Sequence, residues 1–236
     1  MGDGRVLAFD GIDDRMVVPV PNGKLEDAND FFIAAYVEPI FDAASVVAST
    51  HTIFELRERA TNRGYSFVLS RTATDPVMSP RFEIQLNDAA NTVCVGKGLP
   101  VLTGQRVHVA ASYSKPNVYV YVDGVLTTTV CSPNQDLRPV TGQKNATVGW
   151  SSDLSVSTGG FYRGKLDELI YRDRKVDAAF VPPGSTNNCK LRFGFDAPEL
   201  LPDEFSNVIG LCDGVDGLLG LGAGPDASDP AVLCDP

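Results

Sequence analysis

Histidine, tryptophan and methionine are scarce in this sequence of 236 residues, which contains two, one and three of them respectively. His51 and His108 are far apart, and the five cysteines form no Cys-x-x-Cys pair, so the clustered ligands of a zinc site are missing. The sequence also contains no apolar run long enough to cross a bilayer as a helix. These absences argue against a zinc module and against a membrane-spanning helix.

Positive charge is also in short supply, because 20 Lys and Arg stand against 30 Asp and Glu, a net charge of −10 at pH 7. A chain with this balance repels nucleic-acid phosphates and anionic membrane surfaces, so we expect neither nucleic-acid binding nor membrane insertion. The excess of carboxylates is compatible with divalent cations and neutral ligands, although solubility alone explains the acidity of many proteins.

Short runs that alternate apolar and polar residues dominate the first three quarters of the chain, and this pattern predicts β-strands. The predicted strands are residues 5–9, 15–20, 31–37, 52–57, 65–70, 81–87, 92–96, 106–113, 117–122, 125–130, 146–150 and 161–172. Asp123-Gly124 is a hairpin signal, because glycine readily takes the positive φ that a tight turn requires. Only residues 41–48 and 176–181 are candidates for short helical turns, so we predict an all-β antiparallel sandwich or jelly roll.

The composition changes after Pro182-Pro183-Gly184, where the alternation ends and Gly, Asp, Pro and Leu become frequent. We therefore predict a sandwich domain over residues 1–181 and an extension over residues 182–236 that contains one strand-like piece, residues 190–195. The apolar side chains of the extension need a surface to cover, so we expect it to pack on the sandwich and to extend or cover a sheet.

The number of cysteines is odd, so at least one thiol has no partner within the chain. Cys94 and Cys131 lie in predicted strands or at their ends, whereas Cys189, Cys212 and Cys234 lie in the loop-rich extension. Disulfides usually hold loops of this kind, and we predict at least one bridge among the three cysteines of the extension.

Six short motifs occur in a fixed order along residues 6–181. They are Phe9-Asp10-Gly11-Ile12-Asp13-Asp14, Phe32-Ile33-Ala34-Ala35-Tyr36-Val37, Val107-His108-Val109-Ala110, Tyr121-Val122-Asp123-Gly124, Val148-Gly149 and Gly164-Lys165-Leu166-Asp167-Glu168-Leu169. Together they resemble the concanavalin A-like lectin/glucanase superfamily, specifically its laminin-G-like and pentraxin-like modules. The resemblance implies two antiparallel sheets of six or seven strands, the concave one often presenting a carbohydrate-binding or protein-binding surface. The chain departs from it at Tyr36 and Arg106, where the family often has Trp.

The glucanases of this superfamily carry two catalytic Glu on one strand, directed at the sugar from one face. The nearest segments here are Glu55-Leu56-Arg57-Glu58 and Leu166-Asp167-Glu168. Residues i and i+3 of a strand point to opposite faces, and the second segment has only one Glu, so neither segment matches.

A polysaccharide lyase would need a Tyr or His base beside Arg and an amide that neutralise a uronate. Tyr119, Tyr121, Arg81 and Gln85 are the residues available for such a site, but tyrosines on sandwich strands usually pack. We therefore predict no catalytic residues, and leave enzymatic activity as a minor alternative.

Acidic residues at the first and last strands of the resemblance are candidate calcium ligands, because hard cations need several converging oxygens. The predicted set is Asp10, Asp14 and Asp167, with Asp13 beside it. In the glucanases a calcium sits at such an edge, held by main-chain carbonyls and one Asp of a late strand, to which Asp167 corresponds most closely. The alternative is that Asp10 and Asp14 only stabilise an Asx-turn at Gly11.

The only Trp, Trp150, ends a predicted strand next to a polar loop, and strand-end loops of sandwiches often hold ligands. Sugars stack on aromatic rings while neighbouring carboxylates accept their hydroxyl hydrogens, so we predict ligand contacts from Trp150, Asp153, Tyr162, Tyr119 and Tyr121. Trp150 as an ordinary core-edge residue is the alternative. We expect a packing role for His108, which matches the middle His of the family pattern.

These observations predict a non-catalytic lectin-like module that recognises a glycan outside the cell or on a cell or particle surface. The N-terminus lacks the basic-then-apolar pattern of a secretory signal. The expected location therefore rests on the resemblance and not on a signal sequence. Protein adhesion or assembly is the alternative function, with an extracellular protein as the partner. The sequence leaves the oligomeric state open.

Overall fold

The computed structural model describes residues 5–20, 30–45, 47–58, 61, 63–87, 92–131, 136–141, 144–151 and 160–172, together with four short strands nearer the C-terminus. Twelve strands lie in the described part of residues 5–172. They are β1 (Arg5–Asp10), β2 (Met16–Val20), β3 (Asp30–Pro39), β4 (Ser49–Glu58), β5 (Arg63–Arg71), β6 (Ser79–Gln85), β7 (Val93–Lys97), β8 (Val107–Ser114), β9 (Asn117–Val122), β10 (Val125–Val130), β11 (Lys144–Val148) and β12 (Arg163–Arg172).

Each of the twelve predicted runs corresponds to one of these strands, and the all-β prediction is confirmed. Residues 43–44 form a turn within the candidate segment 41–48, and no helix is present in its described part; the second candidate, residues 176–181, lies outside the described residues. The described residues form no helix capable of crossing a membrane.

The strands form two antiparallel sheets packed face to face. Sheet A has the order β10-β9-β8-β3-β12-β1, and sheet B has the order β2-β11-β4-β5-β6-β7. Six strands in each sheet agree with the two-sheet sandwich predicted from the resemblance.

Four short strands from the C-terminal region lengthen both sheets. They are β13 (Cys189–Phe193), β14 (Asn207–Val208), β15 (Gly217–Leu219) and β16 (Ala231–Cys234). Strand β16 pairs with β1 and β13 with β12 in sheet A, whereas β15 joins β2 and β14 joins β15 in sheet B. The boundary between sandwich and extension remains a prediction, and the predicted disulfide of the extension lies outside the side chains that the structure describes.

The core lies between the sheets, where alternate residues of each strand meet. Phe31 of β3 is its centre, with ring centroids 4.6 Å from Tyr65 of β5 and 5.7 to 5.9 Å from Phe82, Tyr113 and Tyr171. All five rings are fully buried and come from both sheets. Offset and edge-to-face aromatic pairs of this kind add to the burial energy that holds the sheets together.

A disulfide joins the two sheets along one edge of the sandwich, between Cys94 and Cys131, with a Cα–Cα distance of 5.7 Å. Cys94 lies on β7, the edge strand of sheet B, and Cys131 follows β10, the edge strand of sheet A. The Thr127 hydroxyl donates to the Lys97 carbonyl at 2.7 Å and also links these two edges. The sequence reasoning assigned disulfides to the extension instead, because it did not place the two edges side by side.

Candidate functional site

An open groove crosses the outer face of sheet B over strands β4, β5 and β6. Its narrow end has a volume of about 480 Å³, and its wide end has about 950 Å³, both including space open to solvent. The narrow end is lined by Thr50, Thr52, Ser66, Val68, Ser70, Arg81, Glu83, Ser151 and Gly160. The wide end is lined by Ala48, Thr50, Ser70, Arg71, Thr72, Ala73, Asp75, Arg81, Val95 and Lys97. The two ends share Thr50, Ser70 and Arg81, so they form one continuous surface, which we call the sheet B groove.

Strand alternation explains why this face is polar. On β5, Phe67 and Leu69 point into the core, so the alternate positions of the strand, including Ser66 and Ser70, face outward. Register then aligns outward positions in rows across the sheet. In one row Thr52 pairs with Val68, Val68 with Arg81, and Arg81 with Lys97. The next row runs from Glu55 through Ser66 to Glu83.

A buried carboxylate, and a buried hydroxyl that bonds to no described group, adjoin the narrow end. The Ser151 hydroxyl donates to Glu55 Oε2 at 3.0 Å, and both residues are buried. The Thr52 hydroxyl is fully buried and makes no hydrogen bond to any described group. A side chain at Gly160 would collide with Ser151, because an added Cβ would lie 2.6 Å from the Ser151 Cβ. The absence of a side chain at Gly160 therefore keeps this end of the groove open.

Glu83 lines the narrow end of the groove and lies between two guanidinium groups. Its Oε2 lies 3.2 Å from Arg57 Nη1, and its Oε1 lies 3.1 Å from Arg81 Nη2. These two contacts hold the Glu83 carboxylate in one orientation. Both oxygens of Glu83 are therefore occupied by cations, unlike those of a carboxyl group that is free to act as an acid or a base.

Trp150 lies next to the narrow end, one residue before Ser151, but its ring is already in contact with protein groups. The Arg15 guanidinium is 4.8 Å from the ring centroid, and Phe161 stacks on the indole at 6.4 Å with an interplanar angle of 28°. The Thr147 hydroxyl donates to the Trp150 carbonyl at 2.7 Å. The ring is half-buried, which fits the alternative interpretation of Trp150 as a core-edge residue. Asp153 lies outside the described residues.

Of the three predicted tyrosines, Tyr121 and Tyr162 are buried and Tyr119 is half-buried, so their ligand contacts stay a prediction. Tyr162 is fully buried, and its hydroxyl donates to the Lys165 carbonyl at 2.9 Å. Tyr121 is buried on the outer face of sheet A, and Tyr119 packs against the same cluster. Alternation alone could not distinguish buried positions on the outer face of sheet A from exposed ones.

Three carboxylates converge at the corner after β1. Ligand atoms of Asp10, Asp13 and Asp14 lie within 4.8 Å of one another. The Ile12 amide donates to Asp10 Oδ1 at 2.7 Å and the Asp10 amide donates to Asp14 Oδ2, so the predicted Asx-turn is present. Burial, followed by the charges of Asp10 and Asp13, raises the pKa of Asp14 to about 6. The spacing and the mutual repulsion of these carboxylates suit a divalent cation.

Asp167, the third residue of the predicted calcium set, is not at this corner. Asp10 pairs with Arg163, and Asp167 lies four residues further along β12, roughly 13 Å away for an extended strand. Its Oδ2 lies 2.7 Å from Arg106 Nη2, and its Oδ1 accepts the Glu168 amide at 2.8 Å. The structure therefore joins Asp10 to Asp14 and separates both from Asp167.

His108 occupies a buried position on β8, as expected for a packing residue. Its ring centroid lies 5.0 Å from that of Tyr36, and its backbone amide donates to Asp123 Oδ1 at 2.8 Å. Burial lowers the pKa of the His108 imidazole, so the neutral form is favoured at neutral pH.

A family model described as the concanavalin A-like lectin/glucanases superfamily, of the laminin G type, matches residues 10–181. The chain belongs to this superfamily. Its fold was anticipated by the ordered motifs, although no single motif would have been specific enough. No sequence relative matches among proteins of curated function.

Several solved structures are similar to this chain at low sequence identity. A candidate carbohydrate-binding protein from Bacteroides ovatus aligns with a TM-score of 0.65 at 13% identity, over 99% of this chain and 60% of the other. Domains LG4-5 of the mouse laminin α1 chain align with a TM-score of 0.51 at 10% identity, over 76% and 45% of the two chains.

The enzymatically active domain of tailspike protein 2 from bacteriophage CBA120 aligns with a TM-score of 0.51 at 11% identity, over 73% of this chain and 26% of that one. All three likenesses show the fold alone. The chain spans about three fifths or less of the length of each of these structures.

Sequence reasoning overlooked the groove as a site. It considered Glu55 and Arg81 only for catalysis, and it did not consider Thr52, Ser66 or Lys97. A signal was present, since the outward positions of three consecutive predicted strands, β4 to β6, carry hydroxyl and charged side chains where the other sheet carries apolar ones.

Proposed function

We propose that the chain is a glycan-binding module and that the sheet B groove is its binding site. The observation that carries the proposal is the buried hydroxyl of Thr52, which bonds to no described group and lines an open cleft together with Ser151, the partner of Glu55. A buried polar group without a partner costs free energy, and a sugar hydroxyl that bonds to it recovers that cost.

The chemistry of the groove matches the surface of a sugar. Its described lining residues supply several hydroxyls and two carboxylates, Glu83 and Asp75, and none of them is aromatic. Recognition would therefore depend on hydrogen bonds to hydroxyl groups more than on stacking. A groove of several hundred Å³ that is open along its length accommodates a segment of a polysaccharide chain.

An extracellular or surface location forms part of the proposal. The Cys94–Cys131 disulfide supports it, because disulfides form and persist mainly in oxidising compartments. A calcium ion at Asp10, Asp13 and Asp14 is also proposed, in a structural role. The three carboxylates would supply part of its coordination, and main-chain carbonyls or water would complete it.

Protein adhesion is the second candidate function, and one observation favours it. The edge strand β10 exposes the apolar side chains of Val125, Leu126 and Val130, and an edge strand of this kind can pair with a strand of another protein. Glu55 is held by Ser151, and Glu83 by Arg57 and Arg81, so we assign no hydrolytic role to these two carboxylates.

Affinity electrophoresis through gels containing soluble polysaccharides, with pull-down on insoluble ones, tests the proposal. Ser70→Phe fills the groove where its two ends meet, and we expect it to abolish glycan binding without lowering the melting temperature. The matched control is Thr128→Phe, at an exposed position on β10 of the other sheet, which should bind as the wild type does. Failure of the wild type to bind any of a broad set of polysaccharides would show that the proposal is wrong, and retention of an extracellular protein by the same chain would favour adhesion.

A further inference from the structure

Two cations face each other across neighbouring strands at the wide end of the sheet B groove. Arg81 of β6 and Lys97 of β7 are directly paired in the register of the sheet, and both line the groove. Side chains in such a pair have Cβ atoms about 5 Å apart, and like charges in this position destabilise the sheet. An arrangement of this kind is stabilised when an anion lies between the two cations.

The described residues neutralise only one of the two charges. Arg81 Nη2 lies 3.1 Å from Glu83, whose other oxygen is taken by Arg57. Lys97 is exposed and forms no ion pair with any described residue. Lys97 therefore presents an ammonium group to the groove, and Arg81 retains donors that Glu83 does not occupy.

The rest of the wide end does not supply the missing anion. Its charged lining residues are Arg71, Arg81 and Lys97 against a single carboxylate, Asp75, which accepts a hydrogen bond from the Thr72 hydroxyl at 2.9 Å. Arg71 is committed to the Ser49 hydroxyl at 3.1 Å and the Asp42 carbonyl at 2.7 Å. This local excess of positive charge stands out in a chain whose net charge is −10.

We propose that the wide end of the groove binds the anionic group of an acidic sugar, a uronate carboxylate or a sulfate ester, between Arg81 and Lys97. This inference rests on the proposed function and adds a preference for acidic over neutral glycans. The hydroxyl-lined narrow end would bind the hydroxyl groups of the adjoining residues of the same polymer. Cationic side chains bind such anions through charge-assisted hydrogen bonds, which are stronger than neutral ones.

The test compares polymers that share one backbone and differ only in charge: a uronate-bearing polysaccharide, the same polymer after reduction of its carboxyl groups, and a sulfated form of the reduced polymer. Calorimetry on the wild type should give about tenfold tighter binding for an acidic form than for the neutral one. The carboxylate and sulfate arms identify which anion the subsite prefers. Lys97→Gln should remove most of this preference while leaving affinity for the neutral polymer unchanged, and Lys97→Arg should retain it.

Lys115→Gln is the matched control, because it also removes one positive charge but lies outside the groove, in the turn between β8 and β9. It should keep the preference for acidic polymers. The melting temperature of ligand-free Lys97→Gln should equal or exceed that of the wild type, since the substitution relieves a repulsion. Equal affinity of the wild type for neutral and acidic forms would overturn this inference and leave the proposed function standing, whereas no binding to any form would count against the proposed function itself.

Discussion

Arg106 and Asp167 form an ion pair that spans an intervening strand of sheet A, with 2.7 Å between Arg106 Nη2 and Asp167 Oδ2. Asp167 on β12 pairs in register with Tyr36 on β3, and Arg106 immediately precedes β8, the next strand. The guanidinium carbon also lies 5.3 Å from the centroid of the Tyr36 ring. Asp167, which the sequence predicted as a calcium ligand, is thus ion-paired with Arg106, whose guanidinium lies over the Tyr36 ring.

Asp167→Asn should lower the free energy of unfolding by about 1 kcal/mol, because it removes the charge from a pair that is only partly shielded from water. The side chain of Arg106 is 40% exposed and that of Asp167 is 12% exposed, which keeps the expected effect small. Urea denaturation should give the same loss in calcium and in a chelator. A loss of stability seen only in the presence of calcium would indicate that Asp167 does bind the metal.

Calcium should raise the melting temperature at pH 7.5 by binding to the carboxylates of Asp10, Asp13 and Asp14 in the folded state only. Asp13→Asn should remove most of the increase, while Asp167→Asn should leave it intact. Differential scanning fluorimetry with calcium, magnesium and chelator measures the effect. An identical melting temperature in calcium-loaded and chelated wild type would rule out a stabilising ion at this corner.

His51 should make stability depend on pH between about 4 and 6.5. Burial, followed by the charges of Arg71 and Arg163, lowers the pKa of His51 to about 4 from an ordinary value of 6.5. The unfolded chain therefore binds more protons in this window. The stability linked to His51 is fully present above pH 6.5 and is lost as the pH falls toward 4, by at most roughly 3 kcal/mol.

Asp14 opposes this trend, because its raised pKa makes the folded state bind more protons between pH 3.8 and about 6. The wild-type profile therefore combines two opposite slopes, and a comparison of variants is needed to separate them. The difference in unfolding free energy between wild type and His51→Phe should grow as the pH rises from 4 to 6.5. A difference that is constant across this range would show that His51 does not titrate as expected.

Reduction of the Cys94–Cys131 disulfide should destabilise the sandwich. The bond joins residues 37 positions apart, and loss of this crosslink from the unfolded chain corresponds to about 4 kcal/mol in the chain-entropy treatment. Denaturant titration with and without a reductant measures the change. The double variant Cys94→Ala, Cys131→Ala should respond to the reductant far less, and peptide mapping by mass spectrometry should recover the Cys94 and Cys131 peptides joined.

Two Thr→Val substitutions should change stability in opposite directions, because one hydroxyl has a partner and the other has none among the described residues. Thr147 donates to the Trp150 carbonyl, and Thr147→Val should cost about 1 kcal/mol of stability. Thr52→Val removes a buried hydroxyl that bonds to no described group, so ligand-free stability should stay equal or rise. Glycan affinity should nevertheless fall in Thr52→Val; unchanged affinity would remove this hydroxyl from the proposed site.

The alternation of apolar and polar residues was sufficient to determine the twelve strands and, with the ordered motifs, the superfamily. The segment Tyr65 to Ser70 illustrates why: outward Ser66 and inward Phe67 occupy successive positions, and this period of two is a local property of an extended chain. The hairpin at Asp123-Gly124 is also local, and both residues have the positive φ that such a turn uses.

Tertiary structure alone decided which distant residues meet. Thr52 lies near Ser151, Cys94 is bonded to Cys131, and Arg106 binds Asp167 because strand order and register bring them together. The same register placed Arg81 opposite Lys97 and left Asp167 roughly 13 Å from Asp10. Alternation fixes the face on which a side chain stands, whereas its neighbours on that face depend on pairing between segments far apart in the chain, which no local pattern encodes.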